Sequence, residues 1–152
     1  MPKLILVRGV PGSGKTTFAR NNYPGVVDDA GEPDKNAAYM ISADDFRIDE
    51  CGNYVHDDVR GDIPHVECQA RVREAITAGC PQIIVHNTFI KVWEIEPYVK
   101  ISHACKVPLE VICMPNISAE EAFSRNTHNV PISVIKRMID EMQDFPGQRL
   151  LF

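Results

Sequence analysis

Apolar residues in this chain gather into four short runs, and longer segments of helical spacing lie between them. The runs are Lys3–Arg8 (KLILVR), 37–42 (AAYMIS), 82–86 (QIIVH) and 107–113 (VPLEVIC). Short runs with little polar alternation predict strands buried on both faces of a parallel sheet. After the first run a helix opens at about Lys15 and ends near 22–24. Asp44 begins a short helical turn. Asp62 caps a helix with Pro64 in its first turn, running to about Ala78 and stopped by Gly79 and Pro81. A further helix is predicted over 92–103, where Pro97 either marks the first turn of a later start or kinks it. Ser118 and Glu121 read as a capping box at the head of a helix that carries Arg125. The last helix starts at Pro131, and Ile135, Met138, Ile139 and Met142 form a stripe of 3.6-residue period that predicts core packing. The polar stretches 23–36 and 51–61 read as surface loop, and the residues after Met142 as a short tail.

Strands alternating with helices imply right-handed crossovers and an α/β fold: a parallel sheet of about four strands with helices on both faces. Ligands then belong at the carboxyl ends of the strands.

Composition narrows the picture without redirecting it. The chain has 152 residues, 44% hydrophobic and 24% charged, as expected of one domain over 1–152 with a core that needs neither disulfides nor a structural metal. The five cysteines, Cys51, Cys68, Cys80, Cys105 and Cys113, form no C-x-x-C pair and read as free thiols in a reduced, cytoplasmic compartment. The apolar run ahead of Arg8 is too short for a signal-peptide core or a membrane span, so neither a secretory nor a membrane role is expected. Lys and Arg number 16 against 21 Asp and Glu, a formal charge of -5, which argues against a broad nucleic-acid-coating surface and leaves room for a local phosphate site.

Such a site is written between the first strand and the first helix. Gly9-Val-Pro-Gly12-Ser13-Gly14-Lys15-Thr16 fits G-x-x-x-x-G-K-[ST], the phosphate loop. Its glycines let successive N–H groups turn inward around a phosphate, and the following helix adds its N-terminal dipole. Lys15 brings a cation to the β- and γ-phosphates, the Thr16 hydroxyl can hold Mg2+, and Thr17 is placed to reach the α-phosphate. The expected ligand is ATP with Mg2+. No guanine-reading N-K-x-D is present, and the chain is short for a P-loop motor, which leaves a small phosphotransferase.

After the second run comes Ser42-Ala-Asp44-Asp45-Phe-Arg47. A kinase acting on an alcohol needs a carboxylate there, bonded to the hydroxyl whose proton leaves, and Asp44 is the candidate. Arg47, one turn on, has the forked guanidinium that suits an acceptor phosphate. A plain N-cap is the competing reading of Asp44 and Asp45. His56, Asp57, Asp58 and His65 read as solvated rather than metal-binding. Trp93 and Tyr98 read as core rather than base-stacking, and His86 as a satisfied strand-end histidine.

Taken together, GVPGSGKTT, ISADDFR, IIVHNTF and AFSRNTHNVP resemble, in order and over nearly the whole chain, the P-loop polynucleotide 5′-hydroxyl kinases: the bacteriophage kinase domain and related kinase-only modules. The resemblance implies a P-loop kinase fold with a helical lid at about 118–142. It also implies transfer of the ATP γ-phosphate to the 5′-hydroxyl end of DNA or RNA. In that role Asp44 would be the general base, Arg47 the contact to the acceptor's 3′-side phosphate, and Arg125 the lid arginine closing on the donor phosphates. Relatives carry an acid where this chain has His86, ahead of Asn87 and Thr88. Two other functions remain open: a kinase of a nucleoside, sugar or antibiotic hydroxyl, and a nucleotide-binding adaptor with weak or no catalysis.

Overall fold

The computed structural model describes residues 2–23, 27–28, 37–43, 63–126 and 129–151. Its strands are β1 (Lys3–Arg8), β2 (Val27–Asp28), β3 (Tyr39–Ile41), β4 (Gln82–Asn87), β5 (Leu109–Cys113) and β6 (Arg149–Leu150). The helices among the described residues are α1 (Lys15–Asn22), α2 (Ile63–Ala78), α3 (Val92–Cys105), α4 (Ala119–Arg125) and α5 (Ile132–Glu141). All strands pair in parallel, in the order β2-β3-β4-β1-β5-β6.

β1 explains why this sheet is buried on both faces. Leu4 and Leu6 point one way, into a core with Cys68, Val72 and Ala75 of α2 and Ile95, Tyr98 and Ile101 of α3. Ile5 and Val7 point the other way, against Ala19 and Phe18 of α1. Each strand therefore has to be apolar along its length, which is the pattern the four runs carry. Within the α2–α3 layer the Tyr98 hydroxyl donates to Cys68 Sγ at 3.2 Å, and Phe89 meets the Tyr98 ring edge-on at 5.5 Å. Cys68, Cys80, Cys105 and Cys113 are free thiols, and Cys51 lies outside the described residues.

The chain leaves β1 for α1 on one face and leaves the neighbouring β4 for α3 on the other. Adjacent strands whose connections depart to opposite faces open a crevice at their carboxyl ends, the usual ligand position in such sheets. Here that crevice lies between the ends of β1 and β4, where Val7 pairs with His86 and Arg8 with Asn87.

The four expected strands and five of the expected helices are present, with several corrections. Val27–Asp28, expected within a loop, pairs with Tyr39 and Met40 as an edge strand. Arg149–Leu150, expected in a tail, pairs with Ile112 and Cys113 at the opposite edge. Two residues are too few to carry a hydrophobic period, so neither strand had a local signature. β5 starts at Leu109 rather than at 107, because Lys106 caps α3 with left-handed backbone (φ 57) and residues 107 and 108 turn the chain.

α3 begins at Val92 with Pro97 inside it, and Trp93 is 68% exposed rather than core. Its buried positions are Ile95, Tyr98, Ile101 and Ser102, and a residue two places from Ile95 falls on the opposite side of the helix. Ser118 caps α4 as expected, its Oγ accepting from the Glu121 N–H at 3.1 Å, but the Glu121 carboxylate turns to Arg125 instead of closing the box. Asp62 and the turn expected at Asp44 lie outside the described residues.

Candidate functional site

The phosphate loop runs from the buried end of β1 into α1. Gly14 sits at the N-cap of α1 with φ 91, and Gly12 has φ 82, conformations that side-chain-bearing residues rarely adopt. At Gly12 space is limiting as well, since a Cβ there would stand 2.0 Å from the Ala122 carbonyl oxygen of α4. The loop is thus packed directly beneath the helix expected to be part of a lid. Lys15 Nζ donates to the carbonyls of Gly9 (2.8 Å) and Val10 (3.0 Å), which folds its ammonium back over the loop. Ser13 is buried, and its hydroxyl has no hydrogen-bond partner among the described residues. A buried hydroxyl left so in a glycine-rich loop that leads into a helix N-terminus is what an anion acceptor would satisfy. The donor set fits a nucleotide phosphate. Thr16 is partly exposed and Thr17 exposed, both on the first turn of α1.

Across the crevice stands the end of β4. His86 Nδ1 lies 3.5 Å from Thr16 Oγ1. The two residues come from positions 70 apart, and only the parallel pairing of β1 with β4 brings them together. Asn87 is buried, and its Oδ1 accepts from Ser42 Oγ (3.1 Å) and from the Ala43 N–H (2.8 Å). It therefore anchors the backbone just ahead of Asp44. Thr88 O accepts from the Gly9 N–H at 3.2 Å, joining the β4 end to the loop.

Arg8 is a site residue that sequence reasoning missed. It is fully buried in β1, directly before the loop. Its Nε donates to Phe89 O at 3.0 Å, Nη2 to Phe89 O and to Ile90 O (3.3 Å), and Nη1 to Gln148 Oε1 at 2.8 Å. Burial lowers its pKa from the usual arginine value, opposed by the nearby Cys113 thiol and Asp144. Phe89 takes a positive φ of 48, so the guanidinium braces a strained turn between β4 and α3. The signal for Arg8 was a cation closing an apolar run directly before the phosphate loop.

α4 and α5 form the remaining wall. Val10 of the loop, Ile90, Ala119, Ala122 and Ile135 make a small core, with Met138 and Met142 packed against it. The stripe on α5 therefore packs inward at Ile135, while Ile139 is exposed at 36%. Arg125, at the end of α4, is exposed, and its guanidinium bonds Glu121 at 2.5 Å rather than any residue of the loop. An exposed pair of this kind is weak and exchanges readily. Between the helices Asn129 has a positive φ of 56, and Asn126 Nδ2 donates to Val130 O at 2.9 Å. Asp44, Asp45, Arg47, His56, Asp57 and Asp58 lie outside the described residues. Among the described residues no three or more His, Cys, Asp or Glu gather to hold a metal, and no helix is long and apolar enough to cross a membrane.

Comparison with known proteins agrees with this geometry. A family model described as an AAA domain matches residues 4–145. Human NEDD4-binding protein 2 is 32% identical over 145 residues, which is 93% of this chain but 8% of that protein. The chain thus spans a small fraction of that relative. Among solved structures, a gluconokinase from Sinorhizobium meliloti 1021 superposes with a TM-score of 0.55 at 20% identity, covering 99% of this chain and 82% of that one. The tunicamycin resistance protein of Deinococcus radiodurans gives 0.57 at 8% identity, covering 99% and 84%. At these identities the two structures speak for the fold alone.

Proposed function

The chain belongs to the AAA-domain family as a P-loop kinase-like, nucleotide-binding domain, and on that premise we propose that it transfers the γ-phosphate of ATP to the 5′-hydroxyl end of DNA or RNA. The observation that carries the nucleotide half is the loop itself: left-handed Gly12 and Gly14, the buried unsatisfied Ser13 hydroxyl, and Lys15 folded over the carbonyls of Gly9 and Val10. On binding, the Lys15 ammonium exchanges those carbonyls for β- and γ-phosphate oxygens, and Ser13 and the loop N–H groups take the rest. Thr16 Oγ1 would hold a divalent cation, which would supply charge neutralisation to the phosphates; Mg2+ is the ion expected from an oxygen ligand.

The acceptor half rests on sequence, on the order of ISADDFR and AFSRNTHNVP around the loop. Asp44 accepts the proton of the 5′-hydroxyl as the new P–O bond forms, and Arg47 binds the acceptor's neighbouring phosphate. What supports Asp44 in this role is the anchoring of Ser42 and Ala43 by the Asn87 carboxamide, which holds the approach to it at the crevice. Arg125 leaves its exposed partner Glu121 and closes on the donor phosphates as α4 and α5 act as a lid over the loop. The charge of -5 limits contact to the last few nucleotides of an end, with a shallow salt dependence.

A second reading is phosphorylation of a hydroxyl on a small molecule, which shares the phosphate loop and the acid–arginine pair of ISADDFR; a gluconokinase has the same fold. One assay separates them. Purified protein is given γ-labelled ATP with 5′-hydroxyl oligonucleotides, and free nucleosides and gluconate are added as competitors. Label on the oligonucleotide, lost in Asp44→Asn while ATP binding is retained, is the expected outcome. No transfer to oligonucleotides, with transfer to a competitor, replaces this reading with the second.

A further inference from the structure

Arg8 is fully buried, and the groups its guanidinium touches are neutral. Nε and Nη2 donate to the Phe89 carbonyl, Nη2 also to Ile90 O, and Nη1 to the Gln148 carboxamide, while Met142 Sδ stands 3.1 Å from Nη2. These bonds occupy its N–H groups but leave its charge uncompensated. Among the described residues no carboxylate forms an ion pair with it. Asp144 and Glu94 act on it only from beyond ion-pair distance, and burial pushes the neighbouring Cys113 thiol up, away from the thiolate. Taking a cation out of water without a counter-charge is costly, and an apolar side chain of similar length would fill the same space without that cost.

The place of this charge in the fold suggests its counter-charge. Arg8 is joined directly to Gly9, the first residue of the phosphate loop. Ile90, whose carbonyl oxygen accepts from Nη2, packs against Val10 of the same loop. An apolar layer thus lies between guanidinium and loop, and a charge acts through such a layer with far less screening than through water. We propose that Arg8 is a buried counter-charge for the nucleotide's phosphates: it touches none of them, and it strengthens their binding through its field across the Val10–Ile90 contact. This role is separate from bracing the Phe89 turn, because bracing uses the forked N–H groups and the field uses only the charge. The assignment rests on the nucleotide-binding reading of the loop and is independent of which hydroxyl is phosphorylated.

Titration calorimetry of the whole chain with ATP and with ADP, in EDTA so that no transfer occurs, separates the two roles. Thermal melts first fix a temperature at which each variant is folded. Arg8→Met removes the charge and keeps the length. It should weaken ATP about fivefold more than it weakens ADP, the order expected for one extra ligand charge about 10 Å from a unit charge in a partly screened site. Loss of the brace alone would weaken both nucleotides alike. Arg8→Lys restores a charge without the fork, so it should bind ATP about fivefold more tightly than Arg8→Met while being the less stable of the two. Should Arg8→Lys fail to fold, the comparison of ATP with ADP in Arg8→Met decides alone. Equal losses for the two nucleotides, or an Arg8→Lys protein that binds ATP no better than Arg8→Met, overturns the assignment and leaves the loop reading intact. Wild-type protein that binds neither nucleotide overturns both.

Discussion

Replacing Gly12 and Gly14 by alanine, one at a time, tests whether the phosphate loop is packed under α4 as the structure has it. Both glycines lie in left-handed backbone, with φ of 82 and 91. An alanine at either position adds strain of about 1–2 kcal/mol, partly offset because alanine also restricts the unfolded chain by about 0.4–1 kcal/mol. The two sites differ in the space a methyl group would meet. At Gly14 the nearest atom is Met114 Cε at 3.7 Å, an ordinary contact with a flexible side chain. At Gly12 it is the Ala122 carbonyl oxygen at 2.0 Å, with the carbonyl carbon at 2.8 Å, and both belong to backbone. α4 would have to retreat by about 1 Å, and overpacking of that kind adds about 1–3 kcal/mol. In urea, with a slope of about 2 kcal/mol/M, the unfolding midpoint of Gly12→Ala should fall about 0.5–1.5 M below that of Gly14→Ala. Far-UV circular dichroism of the two variants without nucleotide measures this difference. Coincident midpoints, or a lower midpoint for Gly14→Ala, would refute the close packing of loop and helix.

Further outcomes follow from two buried polar groups. Burial raises the pKa of Tyr98 well above the ordinary tyrosine value, with the Cys68 thiol beside its hydroxyl adding to the shift. Above about pH 10 the unfolded chain loses a proton that folded Tyr98 keeps, so this group lowers stability by about 1.4 kcal/mol per pH unit there and contributes no slope below it. The difference in urea stability between wild type and Tyr98→Phe should therefore shift between pH 10 and 11, and a constant difference would contradict the burial. Arg8→Met leaves the Phe89 carbonyl without the Arg8 donors, while Ile90 O still accepts from the Gln143 N–H, so the expected loss is about 2 kcal/mol. Arg8→Lys should cost more than Arg8→Met, because it keeps a buried charge and loses the fork that reaches Phe89 and Gln148 together. A milder Lys variant in the same urea assay would show that charge, and not the fork, is what the turn requires.

Much of the fold was readable because this sheet is covered on both sides. KLILVR and QIIVHN each hold an unbroken apolar centre, LILV and IIV, and such runs leave few alternatives to buried parallel strands. The phosphate loop was equally legible, since the glycines, Lys15 and Thr16 act through backbone shape and local spacing. The edge strands at 27–28 and 149–150 were not, because each is held by a partner strand and not by its own residues. Trp93 was misjudged because its helix face is set by where α3 begins, and Pro97 left that start open.

By itself the sequence determined the alternation of buried strands and helices, the loop after β1 and the kind of ligand that loop takes. Those features depend on residues close in the chain, where steric limits on backbone and the period of hydrophobic positions act directly. Tertiary structure alone decided what stands opposite the loop. Placing β4 beside β1 brings His86 to Thr16, ties Thr88 to Gly9 and lets Arg8 brace the Phe89 turn. Packing of α4 on Gly12 sets the helix carrying Arg125 against the phosphate loop. These contacts join positions up to 140 apart, as between Arg8 and Gln148, and no local propensity specifies a partner at that distance.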